Sequence, residues 1–350
     1  MNTVNDNDSS AFSNLRPLLS GIGLALVLGL CAYGCQILLN SDLADPLLIA
    51  LILGIVLRSF IPNNSKIIKG ITFAPKIFIP IGIVFYAFKN INFVKYAKLD
   101  PRFAILTTLV IITYFVSIVI LGKLLKQKKE ITYLTATGSG ICGASAIAVT
   151  SHAMDADSDD VSISLMAVTF IGIMALFVII PFLGTLFDLS NRSYALLSGT
   201  VLQFTGFVKA AMGNIPPLTE EMPLAAATKL AISIKATRYL GLLITIPVFG
   251  SIRKNKKYTA SIMALFLFSG IAGSLVFKFN NSFYTETITP ILSPSYNILW
   301  SIAMGAVGLN ADIRQLLSNN GLKAMIMALG GFICATIIFF MGFFFIQHLS

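Results

Sequence analysis

Three hundred and fifty residues, 56% of them hydrophobic and 11% charged, give a mean hydropathy of +0.85, far above that of a soluble domain. The chain reads as an all-α, polytopic integral membrane protein whose net charge of +10 belongs in loops, which excludes a soluble nucleic-acid binder. Cys31, Cys35, Cys142 and Cys334 lie in apolar stretches without a CxxC pair, and His152 and His348 are the only histidines. Neither a disulfide scaffold nor a metal site is indicated, and no metal cluster, acid pair or Ser/His/Asp set falls inside the apolar runs, so no enzyme and no cofactor are expected.

Residues 1–16 are polar and predict a loose tail without a cleavable signal peptide, followed by one transmembrane domain over residues 17–350. Apolar runs at 18–39, 46–57, 71–88, 103–125, 132–154 and 162–187 predict the first six spans. Those at 194–212, 224–249, 259–277, 296–309 and 322–346 bring the total to eleven. The second, broken by Asp45-Pro46 and Arg58, is the weakest. With the N-terminus inside, fifteen Lys and Arg fall in cytoplasmic segments, Lys128 and Arg192 among them, against five outside. The acids Asp155, Asp157, Asp159, Asp160, Glu220 and Glu221 are placed outside. This predicts a multi-pass protein of the cell inner membrane, N-terminus cytoplasmic and C-terminus outside. The loop 89–102 breaks the charge rule. Trp300 and Tyr296 read as an interfacial anchor.

The stretch 81–125 can be laid on 301–345 at a constant offset of 220 residues, so that Asn90 meets Asn310. Both stretches close a Gly-containing apolar span with Asn, cross a short basic segment and enter a long apolar helix. As spans three and ten they face opposite ways, which predicts an inverted-repeat secondary-transporter fold.

Span five contains T-A-T-G-S-G-I-C-G-A-S-A, with Gly138, Gly140 and Gly143 beside Thr137, Ser139 and Ser145. Glycine costs about 1 kcal/mol relative to alanine in a helix interior, so the segment predicts a helix broken near 137–146. The N–H groups of the following half-helix then offer an anion site. The alternative is close packing of helices through small residues. Cys142 reads as a small core residue or a reactive thiol.

The charges inside apolar runs are all positive: Lys76, Lys209, Lys229, Lys235 and Arg238. Lys235 and Arg238 share a helix face near the bilayer midplane without an intramembrane carboxylate. Such a pair fits an anion that comes and goes, Arg forking to its oxygens and Lys adding a point charge. Snorkelling to a headgroup or pairing with helix-end carbonyls is the alternative, and it is preferred for Lys76 and Lys229.

The runs G-S-G-I-C-G-A-S-A-I-A, I-K-A-T-R-Y-L-G-L-L-I-T-I-P-V from Ile234, and A-M-G-A-V-G-L-N-A-D from Ala303 together resemble the YeiH-type family of bacterial inner-membrane proteins named for sulfate export. The resemblance implies a multi-span transporter of sulfate or a related sulfur oxyanion, with a fold similar to bile-acid-symporter-like and sodium/proton-antiporter-like inverted repeats. It carries the broken-helix motif onto Ser139 to Ala146 and the basic pair onto Lys235 and Arg238. Many members have a His-acid pair before a Gln-Val-Val-Ala-Ala-like run in span seven; here Gln203 and Phe204 stand in its place, with Lys209 inside the run.

The function expected is therefore secondary transport of a small anion by alternating access. An anion channel, or a cation/proton antiporter of the same general fold, is the alternative. The substrate-binding residues expected are Thr137, Gly138, Ser139, Gly140, Cys142, Gly143, Ser145, Lys235, Arg238 and Asn310, with Gln203 and Lys209 in a substrate or coupling role. Sodium or proton coupling, the anion itself and a homo-oligomeric state stay open.

Overall fold

The computed structural model describes residues 6–40, 44–62, 67–97, 99–213, 215–216, 219–250, 256–311, 314 and 318–348, and among these it is all-helical. Residues 1–5 of the expected tail, Lys66, Lys98, Arg253, Lys254 and Asp312 lie outside the described residues. Among the described residues, six helices are long and apolar enough to cross a bilayer: 17–39, 68–90, 101–124, 158–186, 224–249 and 319–346. Two shorter apolar helices, Pro46–Arg58 and Met263–Phe279, accompany them.

One bundle consists of α1 (Asp6–Leu39), α2 (Pro46–Arg58), α3 (Ile68–Asn90), α14 (Lys256–Phe279) and α15 (Thr289–Asn310). The Asp45-Pro46 pair starts α2: the Asp45 carboxylate accepts the N–H groups of Leu47 and Leu48, and Pro46 occupies a position whose N–H would have no partner. Helix α15 runs antiparallel to α3, with Asn310 beside Thr72 and Trp300 beside Gly82. Gly54 of α2 and Gly305 and Gly308 of α15 bring two backbones together, since a Cβ on Gly308 would overlap the Leu51 carbonyl. Trp300 is fully buried between α15 and α3 and donates to the Ile79 carbonyl at 3.3 Å. The expected interfacial anchor is thus a core residue, because Gly82 leaves the space its indole fills.

The second bundle holds α5 (Pro101–Leu124) and α16 (Asn319–His348), antiparallel, with Leu121 against Gly330 and Leu106 against Gly342. Within it α8 (Ser158–Met174) continues through a π turn at 175–179 into α9 (Ile180–Leu186). Likewise α12 (Leu224–Thr237) continues through a 3-10 turn at 238–241 into α13 (Leu242–Gly250). A single turn, α4 (Phe93–Tyr96), joins the bundles above α3.

Spans five and seven differ from expectation. Helices α6 (Lys129–Gly140) and α7 (Ala144–Met154) form an antiparallel hairpin rather than a broken membrane-crossing helix. Lys128, before α6, pairs with Asp157 and Asp160, after α7, at 3.1 and 2.5 Å. A continuous 129–154 helix would hold these ends about 39 Å apart at 1.5 Å per residue. Gly138 lets the two legs close, since its Cβ position is 2.6 Å from Ile147 Cδ1. Helices α10 (Asn191–Val201) and α11 (Thr205–Gly213) form a second hairpin. Its base is tied by the Asn191 side chain, which donates to Met222 O and accepts from the N–H groups of Glu221 and Met222. There Ser190 and Arg192 bond to Glu221 at 2.6 and 3.0 Å and hold its carboxyl below the usual carboxylate range.

The reversals correct the placement of two charged groups. Asp157 and Asp160 lie on the same face as Lys128, and Arg192 lies on the face of Glu221, because each hairpin returns to the side it entered. Helix α8 runs past both hairpins: Val168 lies at Gly138 of the first and Gly172 at Phe207 of the second. The span 158–186 that it opens is the most enclosed of the long apolar helices among the described residues.

The hairpin geometry predicts that a Lys128→Cys/Asp157→Cys pair forms a disulfide or short bis-thiol cross-link in membranes, read as resistance to thiol labelling. A membrane-crossing 129–154 helix would leave both thiols reactive.

Candidate functional site

The two hairpin tips meet across the side chains of Lys235 and Arg238. In the first, α6 ends with the Ile141 N–H bonded to Thr137 O and the Gly143 N–H to Gly138 O, and the chain reverses at Gly143 with φ of +70°. That conformation and the Phe204 ring, 2.5 Å from a Cβ built on Gly143, both require glycine. In the second tip, residues 202–204 leave helical geometry between α10 and α11.

Lys235 and Arg238, both fully buried, stand where α12 gives way to the 3-10 turn. Lys235 Nζ donates to Ile141 O and Leu202 O, each at 2.7 Å. Arg238 donates from Nε to Gly140 O (2.9 Å) and from Nη2 to Ser139 O (2.6 Å). Its Nη1 donates to Thr200 O (2.7 Å) and Leu202 O (2.8 Å). Tyr114, whose ring lies 5.5 Å from the guanidinium, donates to Val201 O at 2.9 Å. The pair therefore serves the terminal carbonyls of α6 and α10, each end carrying about half a negative charge.

With both C-termini occupied, the opposite ends of the breaks remain. The N-termini of α7 and α11 open on a cavity of about 830 Å³ between the two bundles. Cys142 and Ser145 come to its wall from the first tip; Phe204, Thr205, Gly206 and Phe207 come from the second. From the other bundle come Tyr86, Lys89, Asn90 and Tyr296, and α12 with its 3-10 turn adds Ser233, Thr237 and Tyr239. Lys209 reaches the wall from α11. The carboxylate there, Asp45, is held by its two N–H bonds. Tyr86 lies edge-on to Tyr239 and Tyr296, its hydroxyl 3.3 Å from Cys142 Sγ, and Tyr239 pairs with the Thr205 hydroxyl at 2.7 Å. Lys89 sits over the Tyr296 ring.

Of the residues singled out in the sequence, Cys142, Ser145 and Lys209 reach the cavity wall. Gly143 makes the turn, and Ser139 and Gly140 offer their carbonyls to Arg238. Thr137 is buried, its hydroxyl spent on Tyr133 O, and Gly138 packs the hairpin legs. Asn310 is far from the cavity, accepting from the Thr72 hydroxyl at the other end of the α3–α15 pair. Gln203 is buried behind the second tip. Lys76 and Lys229 are exposed on helix surfaces. The wall residues Tyr86, Asn90, Tyr239 and Tyr296 carry no charge signal. Lys89 had one: it opens the basic loop that broke the charge rule.

Arg238 should tolerate no replacement. Arg238→Met leaves the buried carbonyls of Ser139, Gly140 and Thr200 without this donor, at a cost of about 3 kcal/mol or more, and Arg238→Lys, whose single nitrogen does not span both hairpins, leaves part of the set unmet. A thermal midpoint in detergent well below that of Lys209→Met is the expected result; equal midpoints would count against this role.

A family model described as conserved hypothetical protein 698 matches residues 20–328. Among similar proteins, a UPF0324 membrane protein of Streptococcus agalactiae is 27% identical over 292 residues, covering 80% of this chain and 84% of its own. One of Fusobacterium nucleatum is 28% identical over 309 residues (81% and 85%), and one of Streptococcus mutans is 26% identical over 333 residues (91% and 95%). No solved structure matches the chain.

Proposed function

We propose that this chain, which belongs to the conserved hypothetical protein 698 family of membrane proteins, is a secondary transporter that carries a small anion by alternating access. The observation that carries this reading is the pair of helix N-termini, α7 and α11, facing one cavity whose wall also bears Lys89 and Lys209. Helix N-termini direct unpaired N–H groups and positive dipole ends at whatever sits before them, and both favour negative charge. Hydroxyls of Ser145, Thr205, Thr237 and Tyr239 lie at the same wall and suit an oxyanion. Sulfate or a related sulfur oxyanion is the class the sequence resemblance implies.

Two paired, opposite-facing halves support alternating access. Helix α3 packs on α15 and α5 on α16, so the segments matched at an offset of 220 residues are each other's neighbours, antiparallel. Each hairpin leg of nine to twelve residues is about 14–18 Å long, half a bilayer core, so the hairpins read as re-entrant from opposite faces. Because the cavity lies between the bundles, sliding or rocking one against the other would carry the tips from one face to the other. The tips and the buried cations close the cavity floor, which favours a carrier over a pore. Moving Arg192 to the opposite face leaves the excess of Lys and Arg with the N-terminus, so the protein sits in the inner membrane N-terminus inward.

The test is a thermal-stability screen of the purified protein with sulfate, sulfite, thiosulfate, chloride and small carboxylates, in sodium and in potassium. A ligand that binds only the folded state at about 100 times its Kd adds about 2.7 kcal/mol. An oxyanion is expected to raise the midpoint, with Lys209→Gln weakening its affinity about tenfold, or about 1.4 kcal/mol. Absence of a shift with every anion, or a shift unchanged in Lys209→Gln and Lys89→Gln together, would overturn the reading.

A further inference from the structure

The two hairpins carry matching sequence. Tyr133, Thr137-Gly138-Ser139, Ile141 and Cys142 of the first correspond, at an offset of 61 residues, to Tyr194, Ser198-Gly199-Thr200, Leu202 and Gln203 of the second. The bonds to the cations follow the same correspondence. Lys235 takes the equivalent carbonyls of Ile141 and Leu202, and the two terminal nitrogens of Arg238 take the equivalent carbonyls of Ser139 and Thr200. Since the hairpins enter from opposite faces, the cations lie on a local two-fold relation between them. Each hairpin is also followed by a long helix with a non-α turn, at 175–179 after the first and 238–241 after the second.

The equivalence fails at one pair of side chains. Cys142 borders the cavity with Tyr86 as its neighbour, whereas Gln203 is fully buried and outside the cavity wall. Neither the oxygen nor the nitrogen of the Gln203 amide has a hydrogen-bond partner. The amide lies over α8, with Oε1 3.1 Å from a Cβ built on Gly172. Thr169, one turn earlier on that helix face, is likewise buried with an unpartnered hydroxyl, as are Thr107, Thr135, Thr150 and Thr245 elsewhere; Gln203 differs from these in leaving both a donor and an acceptor unmet. Unpartnered amide and hydroxyl groups at membrane depth are costly wherever they stay so.

We infer that the Gln203 side of the hairpin tips is a second substrate-facing surface, closed in this conformation, on which Gln203 stands beside the anion as Cys142 does on the open side. The inference rests on the alternating-access reading above. Exchanging the environments of the two hairpins opens the region between the second tip and α8 to the opposite face. There the Gln203 N–H₂ donates to an oxyanion and its carbonyl and the Thr169 hydroxyl meet water, while Cys142 is covered.

The experiment uses the full chain with all four cysteines changed to Ser, in oriented membrane vesicles. Gln203→Cys, Thr169→Cys and restored Cys142 are each introduced separately and treated from either side with a membrane-impermeant methanethiosulfonate. Gln203→Cys and Thr169→Cys are expected to label from the face of the Lys128 loop, Cys142 from the opposite face, and sulfate to slow labelling of Gln203→Cys and Cys142 alike. Labelling of Gln203→Cys from the same face as Cys142, or from neither face while Cys142 labels, overturns the inference; should Gln203→Cys misfold, Thr169→Cys decides by the same criterion. Opposite-face labelling that none of the screened anions slows would uphold the second surface and sink the anion reading instead.

Discussion

Two helix C-termini pointing toward each other inside a membrane are the constraint around which this molecule is arranged. Each brings carbonyls without intrahelical partners and about half a negative charge, on residues buried from the surface. Lys235 and Arg238 answer both needs at once, with six hydrogen bonds to five carbonyls from two hairpins. A guanidinium is suited to this because its donors fan out in a plane, reaching Ser139 and Gly140 on one side and Thr200 and Leu202 on the other.

The electrostatics of the cavity follow from that arrangement. A helix broken at mid-membrane exposes a C-terminus and an N-terminus together, and cations that cover the first leave the second unopposed. The positive character of the cavity floor therefore comes from backbone as well as from side chains. The basic pair acts indirectly: its hydrogen bonds hold the carbonyls just before α7 and α11, and the first residues of both helices border the cavity.

The surrounding packing separates a close-fitted frame from the hairpin-bearing bundle. In the frame, glycines on α2 and α15 bring backbones into contact, and Trp300 fills the gap over Gly82. Between frame and hairpins, by contrast, lies a cavity bordered by tyrosines, lysines and hydroxyls. A close-fitted frame beside a cavity-lined boundary suits movement of the hairpins against the frame, the frame keeping its own core.

Composition and hydropathy were enough to determine a polytopic, all-helical membrane protein, because transfer of apolar side chains into lipid is a local property of each segment. The break at Gly138 to Gly143 was also legible, since glycine weakens a helix wherever it stands, and so was the importance of two cations with no carboxylate beside them. Hydropathy records burial depth and not direction, so a hairpin of two half-length helices and one interrupted span read alike; the Lys128 ion pairs with Asp157 and Asp160 and the contact of Gly138 with Ile147 distinguish them. For the same reason the sequence aimed Lys235 and Arg238 at a substrate anion, with helix-end carbonyls as the alternative, and tertiary structure decided for the carbonyls, those of two separate hairpins. The tyrosines of the cavity wall gave no sign of a site, and Tyr296 read as an interfacial anchor, because an aromatic ring is as much at home in a lipid-facing helix as beside a binding site. Which of them meet there depends on how α3, α12 and α15 cross, a property of the folded chain and of no single segment.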